Sequence, residues 1–298
     1  MQQGILSETS RIILEDLKVT DNHFILELLN TEGWIRFIGE RNIKTPDEAA
    51  TYIKKIQHNP VVQYYVIRLK ASNNAIGIIS FIKRDYLSHH DIGFALLPAF
   101  EKKGYAHEAA EVVLKHFTKD IAHSKILATT VPDNTSSIAL LKKLGFSFEQ
   151  KIKTGNTELN VFAITRDKFL IDQLTKTFFS VFTNVNSQRP DWEILYKICI
   201  PETIIIKKER ERETVYNLDA FVEPRKKILA DGTLNNFEEK EISAQTLIGN
   251  NIAQRFSYYE KSGVFNHAPY SGKGHKIFQF LNTSSGWKIN AISWEDED

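Results

Sequence analysis

Residues 91–110 read DIGFALLPAFEKKGYAHEAA, and this stretch decides the fold of the first half of the chain. The apolar run at 91–97 indicates a strand, and Pro98 ends it because proline has no N–H to give to a ladder. Beyond the turn, apolar residues recur at helical spacing: Ala106, Ala109, Ala110, Val113, Leu114 and Phe117. The stretch therefore joins a strand to a helix through a turn that holds two lysines and a glycine.

This turn has the parts of an anion-binding site. A helix N-terminus presents unpaired N–H groups and the positive end of its dipole, and Gly104 lets a bound group approach closely. Lys102 and Lys103 add positive charge, so the turn can hold a phosphate. An ordinary surface turn explains the same residues. Neither common nucleotide motif is present: GxxxxGK[ST] does not occur, and SGKGHKI has Ile277 where GxGxxG needs glycine.

The segments around the turn alternate between strand and helix patterns. Strand-like runs are RIILEDL (11–17), VVQYYVIRL (61–69), NAIGIISFIKR (74–84), KILATTV (125–131), FSFEQKI (146–152) and TELNVFAIT (157–165). Helix-like runs are DNHFILELLN (21–30), TPDEAATYIKKI (45–56) and NTSSIALLKKLGF (134–146). This order predicts a mixed α/β domain.

Two motifs together resemble a known family. The turn EKKGYAHEA (101–109) follows one strand, and VPDNTSSIALLKKLGF (131–146), with Asn134 and Ser137 at the start of its helix, follows the next. In combination they resemble the GNAT superfamily of acetyl-coenzyme-A-dependent N-acetyltransferases, and most of all the branch that contains the ribosomal-protein N-terminal acetyltransferases. The resemblance spans about residues 8–165 and implies the mixed-sheet GNAT fold.

The resemblance implies acetyl-coenzyme A as co-substrate. In the family, Gln or Arg, two residues, Gly, one residue, then Gly or Ala form a turn whose backbone amides hold the coenzyme's pyrophosphate. Gly104 and Ala106 match this pattern, whereas Glu101 stands where Gln or Arg is usual. The coenzyme-binding residues that the resemblance implies are Phe94, Ala95, Leu96, Leu97, Lys102, Lys103, Gly104, Tyr105, Ala106, Asn134 and Ser137.

Attack of an amine on a thioester needs a base if the amine arrives protonated, and a donor for the developing oxyanion. Asp91 heads the strand that should carry the thioester, with His89 and His90 just before it, so Asp91 or His90 is the expected base. A solvated turn that caps the strand explains SHHD (88–91) equally well. His107, next to Ala106, is a further histidine in this region, and a residue on the helix surface explains it equally well.

A thiol has a pKa of about 8.5, so the departing thiolate is already a fair leaving group. Protonation by an acid is therefore less necessary here than removal of the amine's proton by a base. Where the family often has a tyrosine, seven residues after the asparagine, this chain has Leu141. Ser137 or a water is therefore the expected acid, and a step that runs without an acid is the alternative. Cys199 lies outside this region, so direct transfer in a ternary complex is expected rather than an acetyl-cysteine intermediate.

The pattern changes after about residue 166. Helices are indicated at 169–185, 190–198 and 217–232, and antiparallel strands at 237–248, 251–261, 276–282 and 286–296. The charge run KKERERE (207–213) is expected to be a solvated loop. Helices followed by strands predict an α+β domain, so we expect two domains, 1–166 and 167–298.

The second half, over about 167–298, resembles uncharacterised members of the nuclear-transport-factor-like (SnoaL-like) cone fold. The motifs that carry this resemblance are FVEPR (221–225), FEEKE (237–241), IAQRFSYYEK (252–261) and GWKI…WED (286–296). That fold wraps a curved sheet around a pocket that serves catalysis, ligand binding or dimerisation. The polar residues expected at the pocket are Arg225, Glu239, Glu241 and Arg255. A structural ion-pair network explains them as well.

Composition excludes several classes of function. Lys plus Arg number 38 and Asp plus Glu 37, so the net charge of +1 gives no field that would recruit nucleic acid or a membrane surface. No apolar stretch reaches the ~20 residues of a membrane span, and the first residues lack a signal-peptide pattern, so a cytoplasmic protein is expected. One cysteine excludes a cysteine-rich zinc cluster, and HEAAE (107–111) has Glu111 where HExxH needs histidine, so no metal is expected.

The sequence thus predicts an acetyl-coenzyme-A-dependent N-acetyltransferase. It would act by direct transfer on a peptide N-terminus or a small-molecule amine, and its C-terminal domain would bind a ligand or form a homodimer. Two alternatives stay open. The first domain could be a non-catalytic acyl-coenzyme-A sensor, or the second domain could carry the catalysis on a small molecule.

Overall fold

A computed structural model describes residues 4–185 and 190–297. The helices are α1 Asn22–Leu29, α2 Glu32–Phe37, α3 Pro46–Gln57, α4 Tyr105–Phe117, α5 Thr135–Lys143, α6 Arg166–Val181, α7 Glu193–Ile198 and α8 Leu218–Ala230. The strands are β1 Ile5–Glu8, β2 Ile12–Asp16, β3 Val62–Leu69, β4 Ala75–Ile82, β5 Asp91–Leu96, β6 Lys125–Thr130, β7 Ser147–Thr154, β8 Thr157–Thr165, β9 Cys199–Glu209, β10 Arg212–Tyr216, β11 Leu234–Ile248, β12 Ile252–Phe265, β13 Ala268–Thr283 and β14 Gly286–Asp296. Two units form, one through Arg166 and one from Asp167.

The N-terminal unit is built on a mixed sheet with the strand order β1-β2-β3-β4-β5-β6-β8-β7. Its strand pairs are antiparallel except for β5 and β6, which run parallel. Among the helices, α3 begins as its sequence predicts: Thr45 and Glu48 form a capping box and Pro46 takes the first turn. The apolar stripe of α4 is buried, including Ala109, Ala110, Val113, Leu114 and Phe117. Packing of this stripe fixes the position of the turn before α4.

The C-terminal unit is built on a second sheet with the order β10-β9-β14-β13-β12-β11. The strand pairs are antiparallel except for β14 and β9, which are parallel. Side chains alternate along the long strands, so Ala253, Arg255, Ser257 and Tyr259 of β12 are all buried on one face. The core of this unit combines that face with apolar residues of α6, α7 and α8.

Several features differ from the sequence predictions, among them strands β9 and β10, neither of which was predicted. Strand β1 and helix α2 were not predicted, because each is short and carries few apolar residues in a period. The charge run at 207–213 is not a loop but most of the hairpin between β9 and β10. Ion pairs such as Lys208 with Glu213 hold it, so opposite charges across a ladder replace apolar contacts there. No helix in the described part of the chain is long and apolar enough to cross a membrane.

Candidate active site and a second cavity

Strand β5 has one paired and one open edge. Its residues pair with β4 from Gly77–Leu96 to Ile82–Asp91. With β6, the only residue pair among the described residues is Asp91–Leu127, supported by a 2.8 Å hydrogen bond from the Leu127 N–H to the His90 carbonyl. The edge beyond Asp91, which carries the predicted Phe94 to Leu97, is therefore open to an extended chain that makes strand-like hydrogen bonds.

The open edge leads to the turn before α4. Gly104 is the N-cap of α4 with a φ of +83°, and no side chain caps the helix. The first N–H groups of α4 therefore have no partner within the helix. Lys102 also has a positive φ, +57°, and Lys102, Lys103 and Gly104 are all exposed. Successive N–H groups in such a turn form an anion-binding concavity, and here two lysines flank it.

A second group of residues holds this turn to the sheet. Arg11 donates to the Lys103 carbonyl at 3.0 Å and from Nε to Glu108 at 2.7 Å. Its guanidinium also lies over the Tyr105 ring, 4.8 Å from the centroid. Thr9 donates to the same carboxylate of Glu108. These contacts tie the first turn of α4 to the segment before β2, so the turn is fixed without using its free N–H groups.

The start of α5 is organised by the predicted pair Asn134 and Ser137. The side chain of Asn134 caps the helix by accepting from the Ser137 N–H at 3.1 Å. Ser137 is half-buried, and the structure assigns no partner to its hydroxyl among the described residues. Leu141 is 1% exposed and belongs to the core. Position 141 therefore stabilises the fold here and has no proton to give.

Asp91 lies at the closed end of the open edge and is 2% exposed. Its carboxylate forms an ion pair with Arg84 and accepts from the Thr129 N–H at 3.0 Å. Burial raises the pKa of Asp91 above its usual range, although Arg84 and Thr129 act in the opposite direction. A carboxylate with a raised pKa is a stronger base than one in water, and its remaining lone pairs can accept further donors.

His90 lies just before β5, and its side chain contacts other groups than the carboxylate of Asp91 does. The His90 ring stacks on Phe81 at 4.7 Å and meets the edge of His123 at 4.8 Å. Burial lowers the pKa of His90, and His123, Lys83 and His89 lower it further. The structure therefore places the two predicted bases in different surroundings.

The C-terminal unit separates its four predicted pocket residues into two pairs. Arg255 and Glu241 form an ion pair beneath α6, where Arg255 Nε donates to Glu241 at 2.8 Å and Nη1 donates to Asp172 at 2.6 Å. Burial acts to lower the pKa of Arg255, but Glu241 and Asp172 raise it overall. Thr246 accepts a further bond at 2.7 Å. This pair is a structural network and does not line the cavity.

Arg225 and Glu239 do line a cavity, whose volume is about 380 Å³. The cavity lies between α8, the end of α6 and the inner face of the second sheet. Glu239 is paired with Lys276, and Asp296 with Lys261 and the hydroxyl of Tyr259, the latter at 2.6 Å. Two of the four predicted residues thus line this cavity, and their role stays a prediction.

Sequence reasoning missed the partners of these groups. Arg84 follows β4 with no periodic signal. Lys276 and Asp296 occupy inward positions of β13 and β14, which their alternation with the buried Phe278 and Trp294 indicates. That alternation was the signal available for Lys276, but its segment was interpreted only as a strand and as an incomplete glycine-rich motif, so Lys276 was not predicted to line the cavity.

Two further groups bear on the chemistry. Burial raises the pKa of the Cys199 thiol to about 12, so this cysteine stays protonated at neutral pH. The described residues contain no group of three or more His, Cys, Asp or Glu side chains that could hold a metal ion.

The comparisons with known proteins that follow match the N-terminal part of the chain. The family model of the acetyltransferase (GNAT) domain matches residues 11–147. The uncharacterized N-acetyltransferase YnaD of Bacillus subtilis is 29% identical over 154 residues, which cover 50% of this chain and 88% of the relative. A GNAT-family acetyltransferase structure from Bacillus anthracis is 24% identical, with a TM-score of 0.47, and covers 53% of this chain and 97% of that one. Spermidine N-acetyltransferase from Vibrio cholerae, solved with CoA and spermine, is 21% identical, with a TM-score of 0.47, and covers 54% and 99%.

Proposed function

We propose a specific reaction for this protein from one premise: residues 11–147 form a GNAT acetyltransferase domain, and the protein is an N-acetyltransferase that takes its acetyl group from acetyl-coenzyme A. The reaction is direct transfer of that acetyl group to an amine, within a ternary complex. The observation that supports it most strongly is the open edge of β5, which leads into the uncapped N-terminus of α4 at Gly104.

This arrangement supports one orientation of the coenzyme. The pyrophosphate would bind the N–H groups of residues 102–106, with Lys102 and Lys103 beside it. The pantetheine would run along Leu97 to Phe94, on the edge that β6 leaves open. Because the turn follows the carboxyl end of β5, the thioester would then lie towards Asp91, and Asn134 with Ser137 would flank the arm.

Asp91 is the proposed base. It is buried at the closed end of the open edge of β5. Burial raises the pKa of Asp91, which favours removal of a proton from an ammonium group, directly or through a water. Ser137 or a water is the proposed donor to the departing thiolate. No covalent acetyl-enzyme is proposed, since the Cys199 thiol is buried in the C-terminal unit and stays protonated.

The proposed acceptor is a peptide N-terminus, as in the ribosomal-protein branch, or a small-molecule amine. Free-N-terminal peptides, polyamines and aminoglycosides should be incubated with acetyl-coenzyme A and the full chain, and acetylated products identified by mass spectrometry. We expect one class to be acetylated, and Asp91→Asn to reduce the yield. If the protein binds acetyl-coenzyme A but acetylates no amine in the panel, the non-catalytic sensor becomes the better account.

For the C-terminal unit we propose the SnoaL-like cone fold and an accessory role, in binding a ligand or in forming a homodimer. The cavity enclosed by one sheet face and helices supports the first role. The second is supported by exposed apolar residues on the other face, where Phe256 and Ile277 are paired neighbours at 47% and 38% exposure. We also propose a cytoplasmic location and the domains 1–166 and 167–298.

The alternative is catalysis by the C-terminal unit. It would require turnover of a small molecule by a chain whose acetyl transfer is blocked.

A further inference from the structure

The cavity of the C-terminal unit combines an apolar wall with a small set of charged groups. Of its eighteen lining residues, twelve are apolar or aromatic, so most of a bound molecule's surface would contact hydrocarbon. Its volume of about 380 Å³ falls within the range of small-molecule sites, ~300–1,000 Å³. The cavity therefore suits a compact apolar molecule, and the charged groups decide which functional group that molecule carries.

Charge pairing leaves one cation of the lining without a carboxylate. Six charged residues line the cavity: Lys207, Arg225, Glu239, Lys261, Lys276 and Asp296. Both carboxylates are used, Glu239 by Lys276 and Asp296 by Lys261. Lys207 pairs with Glu209 at 2.5 Å. Among the residues that the structure describes, none supplies a carboxylate to Arg225.

The surroundings of Arg225 leave most of its donors available. Its Nη1 donates to the Phe221 carbonyl at 2.8 Å, one turn earlier in α8. The guanidinium lies 3.7 Å from the centroid of the Phe221 ring and 5.6 Å from that of Trp294. A guanidinium has five N–H donors, and ring faces accept none of them as a carboxylate would. Burial lowers the pKa of Arg225, which is the effect expected of a desolvated cation without a close anion.

We propose that this cavity binds a small apolar monocarboxylate, with its carboxylate paired to the guanidinium of Arg225 and its apolar body among the aromatic side chains. A planar guanidinium binds a carboxylate through two parallel hydrogen bonds, and burial strengthens the pair. This site is separate from acetyl transfer and stands whether or not the acceptor amine is identified.

A single charge on the ligand follows from the neighbours of Arg225. Glu239 and Asp296 lie in the same lining and contribute to the electrostatic surroundings of Arg225. A dianionic phosphate would be repelled by both carboxylates and could gain only one unpaired cation. A monocarboxylate balances that cation and leaves the Lys276–Glu239 and Lys261–Asp296 pairs intact.

Isothermal titration on the full chain tests the proposal with defined probes. The probes are indole-3-acetate, 3-phenylpropionate and decanoate, each beside its neutral amide, with phenyl phosphate as the dianion. We expect saturable binding of at least one acid, roughly 10- to 100-fold tighter than its amide, because a hydrogen bond to a charged group adds that much. Phenyl phosphate should bind more weakly than that acid.

Matched variants assign the effect to Arg225. Arg225→Gln should remove the preference for acid over amide. Arg225→Lys should keep part of it, since the positive charge stays but the two parallel hydrogen bonds of the guanidinium are lost. Lys226→Gln removes the same charge from the next residue of α8, which does not line the cavity, and should bind as wild type. Circular dichroism checks that each variant is folded.

Any one of four results would overturn the proposal. The first three are no saturable binding of any of the three acids to the wild-type chain, equal binding of acid and amide, and an unchanged preference in folded Arg225→Gln. Tighter binding of phenyl phosphate than of every acid would also overturn it, since the site would then select a dianion.

Discussion

The turn at Gly104 and the cavity at Arg225 both offer positive charge to an anion, but they are built differently. At the turn, every group comes from a few consecutive residues, and most of the donors are backbone N–H groups at an exposed helix start. In the cavity, one half-buried guanidinium faces groups from strands that are distant in sequence. A site made from consecutive residues can be predicted from the sequence, whereas one assembled by packing needs the structure.

The largest expected effect breaks the turn. Gly104→Glu places a Cβ at a φ of +83° and a negative charge on the N–H groups, so we expect at least ~100-fold weaker binding of acetyl-coenzyme A by calorimetry. Gly155→Glu is the matched control, since Gly155 also has a positive φ, +59°, and open space around it in the β7–β8 turn. Equal affinities in the two variants would show that the pyrophosphate binds elsewhere.

A large effect on the rate of acetyl transfer is expected at Asp91, at the closed end of the open edge of β5. Asp91→Asn keeps the shape but loses the base, so kcat should fall roughly 100-fold while acetyl-coenzyme A still binds. Asp85→Asn is the matched control, since Asp85 adjoins Arg84 in sequence but is exposed, and it should leave kcat unchanged.

A variant of Arg84, the ion-pair partner of Asp91, distinguishes whether Asp91 acts as a base or only as a structural carboxylate. Removing the carboxylate leaves Arg84 unpaired, which should lower the free energy of unfolding by about 2–3 kcal/mol. Arg84→Met in the Asp91→Asn background should restore part of this stability because no lone cation remains. If kcat recovers together with stability, Asp91 only holds Arg84, and the assignment of Asp91 as the base is wrong.

A stability effect of similar size sharpens the cavity side of the comparison. Arg255→Gln breaks a buried network with Glu241 and Asp172, so we expect a loss of about 2–3 kcal/mol in the free energy of unfolding. Arg225→Gln removes a cation that has no carboxylate partner among the described residues and should cost less than about 1 kcal/mol. Urea titration of both variants measures the difference. Equal losses would mean that Arg225 is as much a structural residue as Arg255.

The smallest expected effect concerns His90, which adjoins Asp91 in sequence but whose ring packs on Phe81 and His123. Burial and then His123 hold the pKa of His90 below its ordinary value of 6.5. The unfolded chain therefore binds a proton more readily, and the folded state loses stability as the pH falls through about 6.5. His90→Phe keeps the stacking on Phe81 and should reduce this pH dependence only slightly, because solvent screens the partly exposed ring, with kcat retained.

Thermal unfolding between pH 5 and 8 measures the His90 effect. His58→Phe, at the exposed end of α3, serves as the control for a lost imidazole. If kcat falls as far in His90→Phe as in Asp91→Asn, His90 takes part in catalysis and this account of His90 is wrong.

How far the sequence predicts this molecule follows from the range of each interaction. The strand, turn and helix from Asp91 to Phe117 are set by local periodicity and by a glycine at a positive φ, and they were predicted at nearly their observed bounds. Pairing across the sheet is not local. Nothing near Asp91 in the sequence reveals Arg84 and Thr129 as its partners, and nothing near Arg255 shows that Glu241 and Asp172 occupy its donors.

The same reasoning explains the charge run at 207–213 and the fate of Arg225. Charged residues predict solvent on average, but Lys208 finds Glu213 across a hairpin and forms a strand. Arg225 and Arg255 look alike in the sequence, and only the packed structure shows which of them keeps its donors free. Pocket residues are therefore less predictable than the elements that carry them.

The most direct test of acetyl transfer is the amine-dependent release of coenzyme A by the full chain, followed with a thiol reagent. The protein's one cysteine, Cys199, is buried with a pKa of about 12, so coenzyme A is the thiol that reacts in the folded protein. With an accepted amine, we predict release that saturates in both substrates, is absent in Gly104→Glu and is unchanged in Arg225→Gln. Release that is independent of any amine, or that persists in Gly104→Glu, would contradict direct transfer at this site.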